Sequence, residues 1–262
     1  MKVAIVQTAL IQGQVARNMQ IIQDALTEAA LANPDVIVLP ELWNTSFLPE
    51  NVHEIADIDG KETRALLSTF AKSNHVNIVG GSVANIRGND LFNTVYVYDR
   101  EGSKIAAYDK AHLFSPAGEN DYFKAGTESV TFELDGVTCG VVTCYDLRFP
   151  EWVRELALAD AQVVFVPAAW PATRNVHWDV LNRARAIENQ MYVVAVNSIG
   201  LVNPTGDVYG GHSVIVDPWG SYVVEPDDDN EIKVGEIDFD VIDGIRSKIN
   251  VFNDRRPDIY TI

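Results

Sequence analysis

Short runs of β-branched and other apolar residues alternate along this chain with segments in which apolar residues recur every three or four positions. In the first 40 residues the order is a strand at Lys2–Gln7, a helix with one apolar face from Val15 to Ala29, and a buried strand at Asp35–Leu39. The short runs favour strands, and the three-to-four spacing favours amphipathic helices. No repeat or linker interrupts the pattern, so it predicts one α/β domain over residues 1–262.

Helical and strand patterns continue in this way to the C-terminus. Further helices are predicted at Lys61–Asn74, Pro150–Ala159, Val176–Gln190 and, as a short helix, near Val241–Ile249. Further strands are predicted at Val76–Ala84, Phe92–Tyr98, Lys104–Tyr108, Val130–Leu134, Val137–Thr143, Gln162–Val166, Met191–Val196, Gly211–Val216, Tyr222–Glu225 and Ile232–Ile237. Turn residues at Asp99–Gly102 and Asp135-Gly136 separate consecutive strands and therefore predict two hairpins.

Two of these segments carry specific expectations. Residues 111–126 show no clear period and are predicted to form a loop. The helix at Val176–Gln190 is expected to carry one apolar face, formed by Val176, Val180, Ala184 and Ile187.

Composition and charge narrow the class of protein. Apolar residues make up 47% of the chain, which argues against disorder. No apolar run approaches the ~18 residues of a membrane helix, and Met1–Gln7 is too short for the core of a signal peptide. With 20 basic and 37 acidic residues the formal charge is −17, so the surface repels nucleic acid and anionic lipid. We therefore expect a cytoplasmic protein without a nucleic-acid or membrane partner.

The two cysteines are expected to be free thiols. Cys139 and Cys144 are five residues apart in one apolar run, which corresponds to roughly 16 Å along a strand. A disulfide needs Cα atoms within about 7 Å, and the odd offset puts the two side chains on opposite faces. Free thiols are typical of a reducing compartment.

Three predicted strands lead into a polar or reactive residue. They are followed by Glu41, Lys110 and Cys144, and functional sites of α/β sheets gather beyond the strand ends. Taken singly, each residue has an ordinary structural explanation. A Glu or Lys is usually a solvated charge, and a Cys is most often a small core residue.

The surrounding residues add a more specific signal. The three motifs are Pro40-Glu41, Tyr108-Asp109-Lys110-Ala111-His112-Leu113-Phe114 and Thr143-Cys144-Tyr145-Asp146-Leu147-Arg148-Phe149-Pro150-Glu151. In this order they resemble the Glu–Lys–Cys signature of the nitrilase superfamily of carbon–nitrogen hydrolases. Further similar segments are Arg183–Gln190, Gly211-His212-Ser213, Asp217-Pro218-Trp219-Gly220 and Arg255-Arg256-Pro257-Asp258. The resemblance spans nearly the whole chain and implies a four-layer α-β-β-α sandwich.

The resemblance also implies a role for each site residue. Cys144 would be the nucleophile and Glu41 the base that takes the thiol proton, because only a small fraction of an ordinary cysteine is thiolate at neutral pH. Lys110 and the backbone N–H of Tyr145 would stabilise the oxyanion. Glu119 matches a second family glutamate that orients Lys110 and helps to bind the amide nitrogen; the alternative for Glu119 is a surface charge in the loop.

The remaining polar residues are expected to be structural. Arg148 is expected in an ion pair, with a buried acid such as Glu188 as its kind of partner, and Asp146 is expected to shape a turn. His112 and His212 lack the spacing of metal ligands and are expected to make local hydrogen bonds. No metal or cofactor is therefore indicated.

Two segments, Cys144–Pro150 and Trp170–Trp178, resemble the omega-amidase branch of the superfamily. This implies a small carboxylated ω-amide as substrate, 2-oxoglutaramate or 2-oxosuccinamate, with Trp170 and Arg174 as the substrate-binding candidates. The alternatives are an N-carbamoyl or other small aliphatic amide hydrolase, a soluble acyl-transferring enzyme, and a non-catalytic binding protein. Members of the superfamily usually form homodimers or larger homo-oligomers, so one is expected here.

Overall fold

The computed structural model describes residues 1–201, 208–229 and 231–260, in which two large β-sheets lie between layers of helices. The first part of the chain contains β1 Lys2–Gln7, α1 Val15–Ala30, β2 Val36–Val38, α2 Val52–Ile55, β3 Asp57–Ile58, α3 Lys61–Asn74, β4 Asn77–Arg87, β5 Asp90–Tyr98 and β6 Lys104–Asp109. The second part contains α4 Glu119–Tyr122, β7 Val130–Leu134, β8 Val137–Val141, α5 Pro150–Leu158, β9 Val163–Ala168, α6 Asn175–Asn189, β10 Tyr192–Asn197, β11 Ile199–Leu201, β12 Val208–Gly210, β13 Val214–Val216, β14 Tyr222–Val224, β15 Glu231–Glu236 and α7 Asp240–Arg246. Short 3₁₀ turns lie at Ser115–Ala117, Cys144–Arg148 and Ala172–Arg174.

The topology of the two sheets brings several strand ends to a common edge. The first sheet has the order β15-β1-β2-β4-β5-β6, with β3 also paired to β4, and the second has the order β14-β13-β10-β9-β8-β7. Strands β1, β2 and β4 are parallel. Strand β5 is antiparallel to β4, and β6 is antiparallel to β5, so β6 runs in the same direction as β4. Strands β8, β9 and β10 are parallel in the second sheet. The C-terminal ends of β2 and β6 therefore share one edge, and those of β8 and β9 share another.

Three apolar clusters define four layers. The central cluster joins the facing sides of the two sheets, with Val38 and Val95 from the first sheet and Val141 and Phe165 from the second. On the outer side of the first sheet, α1 and α3 pack through Ile22, Leu26 and Leu67. On the outer side of the second sheet, α5 and α6 pack through Leu156, Trp178 and Ala186. The predicted α-β-β-α sandwich is thus confirmed.

Most predicted elements agree with the structure to within a few residues, and the helix at Lys61–Asn74 and the strand at Val130–Leu134 agree at both ends. The predicted loop over residues 111–126 instead contains the Ser115–Ala117 turn and α4. A single turn of helix has no repeat from which periodicity could reveal it. The prediction of one domain over residues 1–262 includes 202–207, 230 and 261–262, which lie outside the described residues, and it stays a prediction.

The apolar face predicted for α6 does not point into the core. Val176, Val180 and Ile187 are 74%, 60% and 48% exposed, and Ala184 is only partly buried. The buried side of the helix is formed instead by Trp178, Asn182, Arg185, Ala186 and Asn189. Polar residues are tolerated there because they hydrogen-bond to backbone oxygens, Asn182 to that of Trp178 and Arg185 to that of Leu147.

None of the helices in the described ranges is long and apolar enough to cross a membrane.

Candidate active site

The three strand-end residues Glu41, Lys110 and Cys144 meet where the two sheets face each other. Glu41 follows β2, Lys110 follows β6, and Cys144 follows β8. The Nζ atom of Lys110 lies 2.9 Å from Oε1 of Glu41, and both side chains are fully buried. The thiol of Cys144 is also buried, and it lies close enough to the Glu41 carboxyl group to influence the pKa of that group. A carboxylate and an ammonium are therefore in direct contact, with a thiol close to them, in a water-poor environment.

Glu119 joins this group from the first turn of α4. Its two carboxylate oxygens lie 3.1 and 2.8 Å from Nζ of Lys110, and Oε2 also accepts the backbone N–H of Phe114 at 2.6 Å. The side chain is fully buried, so the alternative of an exposed loop charge is wrong. Lys110 thus lies between two carboxylates.

Asn93, a residue that the sequence did not single out, bridges the same two carboxylates. Its Nδ2 donates to Oε1 of Glu41 at 2.8 Å and to Oε1 of Glu119 at 3.1 Å. The antiparallel register of β5 and β6 fixes its place, because the backbone N–H of Lys110 donates to the Asn93 carbonyl oxygen. Buried carboxylates need hydrogen-bond donors. A buried amide side chain close to the Glu41 and Lys110 strands was therefore the one available signal for this bridge.

Burial and mutual charge set the proton affinities of this cluster. Burial raises the pKa of Glu41; the Lys110 charge lowers it and the Glu119 charge raises it again, with a net increase. Burial also lifts the pKa of the Cys144 thiol well above its usual range, and the Glu41 charge adds to the increase. Burial lowers the pKa of Lys110, but the charges of Glu119 and Glu41 outweigh it and hold that pKa well above its usual value. In the resting site the lysine is charged and the sulfur holds its proton beside a carboxylate of raised basicity.

The backbone around Cys144 is shaped to present the thiol. Cys144 has a φ of 47°, a left-handed conformation that costs a non-glycine residue about 1–3 kcal/mol. The turn it begins is held by Asp146, whose Oδ2 accepts the backbone N–H of Thr143 at 2.9 Å and the hydroxyl of Tyr108 at 2.6 Å. The prediction that Asp146 shapes a turn is confirmed, and the strain lies at the residue that carries the thiol.

The backbone N–H of Tyr145 is left without an acceptor within its own turn. Tyr145 is the second residue of the Cys144–Arg148 turn, and the first N–H with an intrahelical acceptor is that of Asp146, which donates to Thr143 at 3.0 Å. The leading N–H groups of any helix lack such acceptors. This N–H is therefore free of the turn's own bonding and next to the thiol, as an oxyanion donor must be.

A cavity of about 410 Å³ opens above Cys144. Its size falls within the range of small-molecule sites. Phe47, Leu48 and Phe114 contribute apolar walls, and Arg148 and Arg174 contribute two positive charges. Among the described residues, no Asp or Glu lines it.

Trp170 and Arg174 both line this cavity, as their predicted substrate-binding role requires. The buried indole of Trp170 donates from Nε1 to the backbone oxygen of Arg174 at 3.0 Å. The guanidinium of Arg174 lies 5.3 Å from the centre of the Phe114 ring. The bond between Trp170 and Arg174 ties the Ala172–Arg174 turn to the cavity wall.

Arg148 is a cavity residue, and its predicted ion pair with Glu188 is wrong. Glu188 is partly exposed and pairs at 2.8 Å with Arg185, three residues before it on α6. The guanidinium of Arg148 stacks over Trp170 at 4.4 Å, and its Nη1 lies 3.3 Å from Nδ1 of His177. Burial lowers the pKa of Arg148, and the charge of Arg174 acts in the same direction. Within the described ranges, neither cavity arginine has a carboxylate partner.

The remaining cysteine and histidines have structural surroundings. Cys139 is completely buried between the sheets, and burial raises the pKa of its thiol to about 12. Both cysteines are free, as predicted. Nδ1 of His112 lies 2.8 Å from Asp146, and Nδ1 of His212 lies 3.0 Å from Asp179, so the predicted local bonds are confirmed. The described residues contain no group of three or more side chains that could hold a metal ion.

The fold and this site define a carbon–nitrogen hydrolase, and sequence comparison agrees. The chain belongs to the carbon-nitrogen hydrolase family, whose model matches residues 2–247. It is 46% identical over 226 residues to the 2-oxoglutaramate amidase of Bacillus subtilis, covering 86% of each chain. It is 31% identical over 245 residues to the omega-amidase NIT2 of Homo sapiens, covering 90% of this chain and 88% of that one. The crystal structure of Saccharomyces cerevisiae Nit3, a nitrilase superfamily member, superposes with a TM-score of 0.89 at 29% identity, covering 98% and 96%.

Proposed function

We propose that this chain is an amidase that hydrolyses a small ω-amide with a carboxylate at its far end, through a thioester on Cys144. The observation that carries the proposal is a buried thiol close to Glu41 and Lys110, at a cavity whose two arginines have no carboxylate partner among the described residues. The name of the Bacillus subtilis relative supports 2-oxoglutaramate as the first candidate, and the name of the human relative supports an ω-amide. 2-Oxosuccinamate, one carbon shorter, is the second.

Thioester formation uses the thiol of Cys144, the carboxylate of Glu41 and the ammonium of Lys110. The sulfur of Cys144 attacks the amide carbon while the nearby carboxylate of Glu41 takes its proton. The ammonium of Lys110 and the N–H of Tyr145 stabilise the negative oxygen of the tetrahedral intermediate, and one such donor is typically worth about 3 kcal/mol. Glu41 then returns the proton to the amide nitrogen, and ammonia leaves.

Hydrolysis of the thioester repeats the proton transfer with water. Glu41 takes a proton from the attacking water, the same oxyanion donors act again, and the thiol is regenerated as the acid leaves. Glu119 does not need to transfer a proton in this scheme. Its two bonds to Nζ hold Lys110 in place and keep it charged, so that the ammonium remains available in both steps.

The two cavity arginines explain how the substrate carboxylate would be recognised. A carboxylate that leaves water for a cavity needs a charged or strongly donating partner. Arg148 and Arg174 are the cations of the cavity lining, and their own mutual repulsion is relieved when an anion lies between them. The guanidinium of Arg148 stacks on the ring of Trp170, and this contact holds it in the cavity wall. A neutral amide would gain none of this stabilisation.

Removing either arginine should therefore weaken carboxylate recognition selectively. We expect Arg174→Ala and Arg148→Ala each to raise KM for 2-oxoglutaramate about 10-fold or more, because a hydrogen bond to a charged group is worth about 1.5–3 kcal/mol. KM for the neutral methyl ester or for propionamide should change little. The matched control is Arg183→Ala, on α6 but bonded to Gly220 away from the cavity. Equal kcat/KM for acid and ester in the parent enzyme would refute carboxylate recognition as a whole.

The proposed reaction itself is tested by ammonia release from a panel of small amides. The panel contains 2-oxoglutaramate, 2-oxosuccinamate, glutamine, asparagine, N-carbamoyl amino acids and aliphatic nitriles. We expect the 2-oxo amides to give the highest kcat/KM. A preference for N-carbamoyl compounds would point to the alternative hydrolase, and hydroxamate formation with added hydroxylamine would reveal acyl transfer. If no compound of the panel were turned over, the alternative of a non-catalytic binding protein would be favoured.

We further propose that the chain forms a homodimer or larger homo-oligomer through the apolar face of α6. Val176 and Val180 are exposed there, and the turn that carries the 63% exposed Trp219 is tied to the same helix by a bond from Arg183 to Gly220. An exposed apolar patch of this kind is typical of an interface. We expect Val180→Glu to lower the molecular mass measured by sedimentation, whereas the control Leu31→Glu, at a similarly apolar and even more exposed position after α1, should not. An unchanged mass for Val180→Glu would exclude this face.

A further inference from the structure

Asn93 occupies an unusual position between two acids of the same charge. The Nδ2 group has two hydrogens, and its two bonds run to one carboxylate each, Glu41 and Glu119. Carboxylates only accept hydrogen bonds, so this contact fixes which end of the amide faces them. The side chain is fully buried, and its Oδ1 has no hydrogen-bond partner among the described residues. The amide is thus oriented by the acids alone and not by a partner on its other side.

The contacts of Glu41 show what this amide adds. Its Oε1 receives Lys110 and Asn93, and its Oε2 receives the backbone N–H of Ala169 at 2.8 Å. Lys110 has a second role in the proposed reaction, because its ammonium must also stabilise the oxyanion. Asn93 has no such second role, so its bond to Oε1 of Glu41 does not compete with oxyanion stabilisation.

We propose that Asn93 is a positioning residue that holds the carboxylates of Glu41 and Glu119 around Lys110 and keeps Glu41 ready to receive the proton of Cys144. The assignment rests on the proposed amidase function. A neutral donor suits this place better than a second cation. A further positive charge would also hold the acids, but it would lower their affinity for the proton that Glu41 must take. A side chain without donors would leave two buried carboxylates sharing one ammonium.

The groups that face Glu41 define how its titration should respond. They are Lys110 at the end of β6, Glu119 at the start of α4, Cys144 at the start of its 3₁₀ turn, and the buried hydroxyl of Tyr209 on β12. Loss of the Asn93 donor removes a bond that favours the ionised form of Glu41. The pKa of Glu41 must then rise, so a larger share of this base is protonated at low pH. The acid limb of the rate profile should move to higher pH.

The first measurement compares Asn93→Leu with the parent enzyme over a range of pH. We expect kcat/KM to fall about 10- to 100-fold and the acid limb to move upward by about one pH unit, while KM changes little. The matched control is Asn85→Leu. Asn85 is equally buried, donates two side-chain bonds to Thr94 and Tyr96, and also has an unpaired Oδ1, but it does not contact either acid. Its replacement should lower stability without moving the pH profile.

A second variant keeps the test informative if Asn93→Leu does not fold. Asn93→Asp preserves the shape of the side chain but can donate only while it is protonated. We expect its rate relative to the parent to decline as pH rises, the opposite trend to Asn93→Leu. Opposite trends identify a role in proton affinity, which a merely structural residue would not produce. Profiles that superimpose on the parent for both variants would overturn the proposal.

Alkylation separates a failure of this inference from a failure of the proposed function. The rate of iodoacetamide modification of Cys144, followed by peptide mass mapping so that Cys139 is counted separately, requires no substrate. We expect Asn93→Leu to shift the pH dependence of this rate upward as well. If the parent released no ammonia from any amide, the amidase proposal would fail, and the alkylation shift would still decide the role of Asn93. An unshifted alkylation profile in a folded variant would refute it.

Discussion

Replacing Cys144 with alanine should reduce ammonia release by about 10⁴-fold or more, because it removes the sulfur that forms the acyl intermediate. The variant should fold, since the thiol is small. Its loss also removes a group whose thiolate form is disfavoured by burial and by the Glu41 charge. Steady-state rates with 2-oxoglutaramate, together with mass spectrometry of the acyl-enzyme, measure the effect. The parent should show a transient mass increase on Cys144, and the variant none.

Cys139→Ala is the matched control for this experiment. Cys139 is buried between the sheets, and with a pKa of about 12 its thiol is un-ionised at neutral pH. We expect near-normal turnover and a loss of about 1 kcal/mol in the free energy of unfolding, from the small cavity left behind. Iodoacetamide should inactivate the parent by labelling Cys144. Inactivation that tracks labelling of Cys139 would show that the nucleophile has been misassigned.

Periodicity predicted most strands and helices because it depends on burial, whereas the four-layer arrangement was implied by the family resemblance. The β-branched runs of β2 and β9 are buried on both sides and therefore carry a strong signal. The α6 helix shows where this signal fails. Its apolar stripe at Val176, Val180 and Ile187 faces solvent, while Asn182 and Asn189 are buried and bonded to backbone oxygens of their own helix. A periodic stripe indicates an apolar face but does not say what covers it.

The site was predictable to the extent that strand ends carry chemistry. Glu41, Lys110 and Cys144 meet because three strands end at facing edges. Asn93 lies inside β5, and its two acids are 52 and 26 residues away in the sequence, so no local pattern could reveal the bridge.

The ion pair expected for Arg148 does not form, because a short-range competitor was overlooked. Glu188 has Arg185 one helical turn away on α6, and the i,i+3 pair forms in place of a longer contact. Arg148 is then free of acidic neighbours among the described residues and lies in the cavity.

Lys110→Met should lower kcat/KM by about 10³-fold or more, since it removes an oxyanion donor and also changes the base. Lys110 is the ammonium between Glu41 and Glu119, both fully buried. Without it, two buried carboxylates repel each other at close range, and at least one must take up a proton. A protonated Glu41 cannot accept the proton of Cys144. Rates measured with 2-oxoglutaramate and with its neutral ester should fall alike, because Lys110 acts on the reacting carbonyl group and not on the distant carboxylate.

The stability of Lys110→Met should depend on pH in a defined direction. In this variant the folded-state pKa of the buried pair is raised above its unfolded value near 4.3, so the protonated fold is favoured at low pH and loses stability as pH rises through the folded pKa. We expect the Tm difference from the parent to widen between about pH 5 and pH 8. The matched control is Lys233→Met, which removes another buried lysine whose Nζ lies 2.7 Å from Asp227, far from Cys144 in the fold. That variant should lose stability and keep its kcat. Turnover of Lys110→Met within tenfold of the parent would show that Lys110 only balances charge, and the oxyanion would then need another donor.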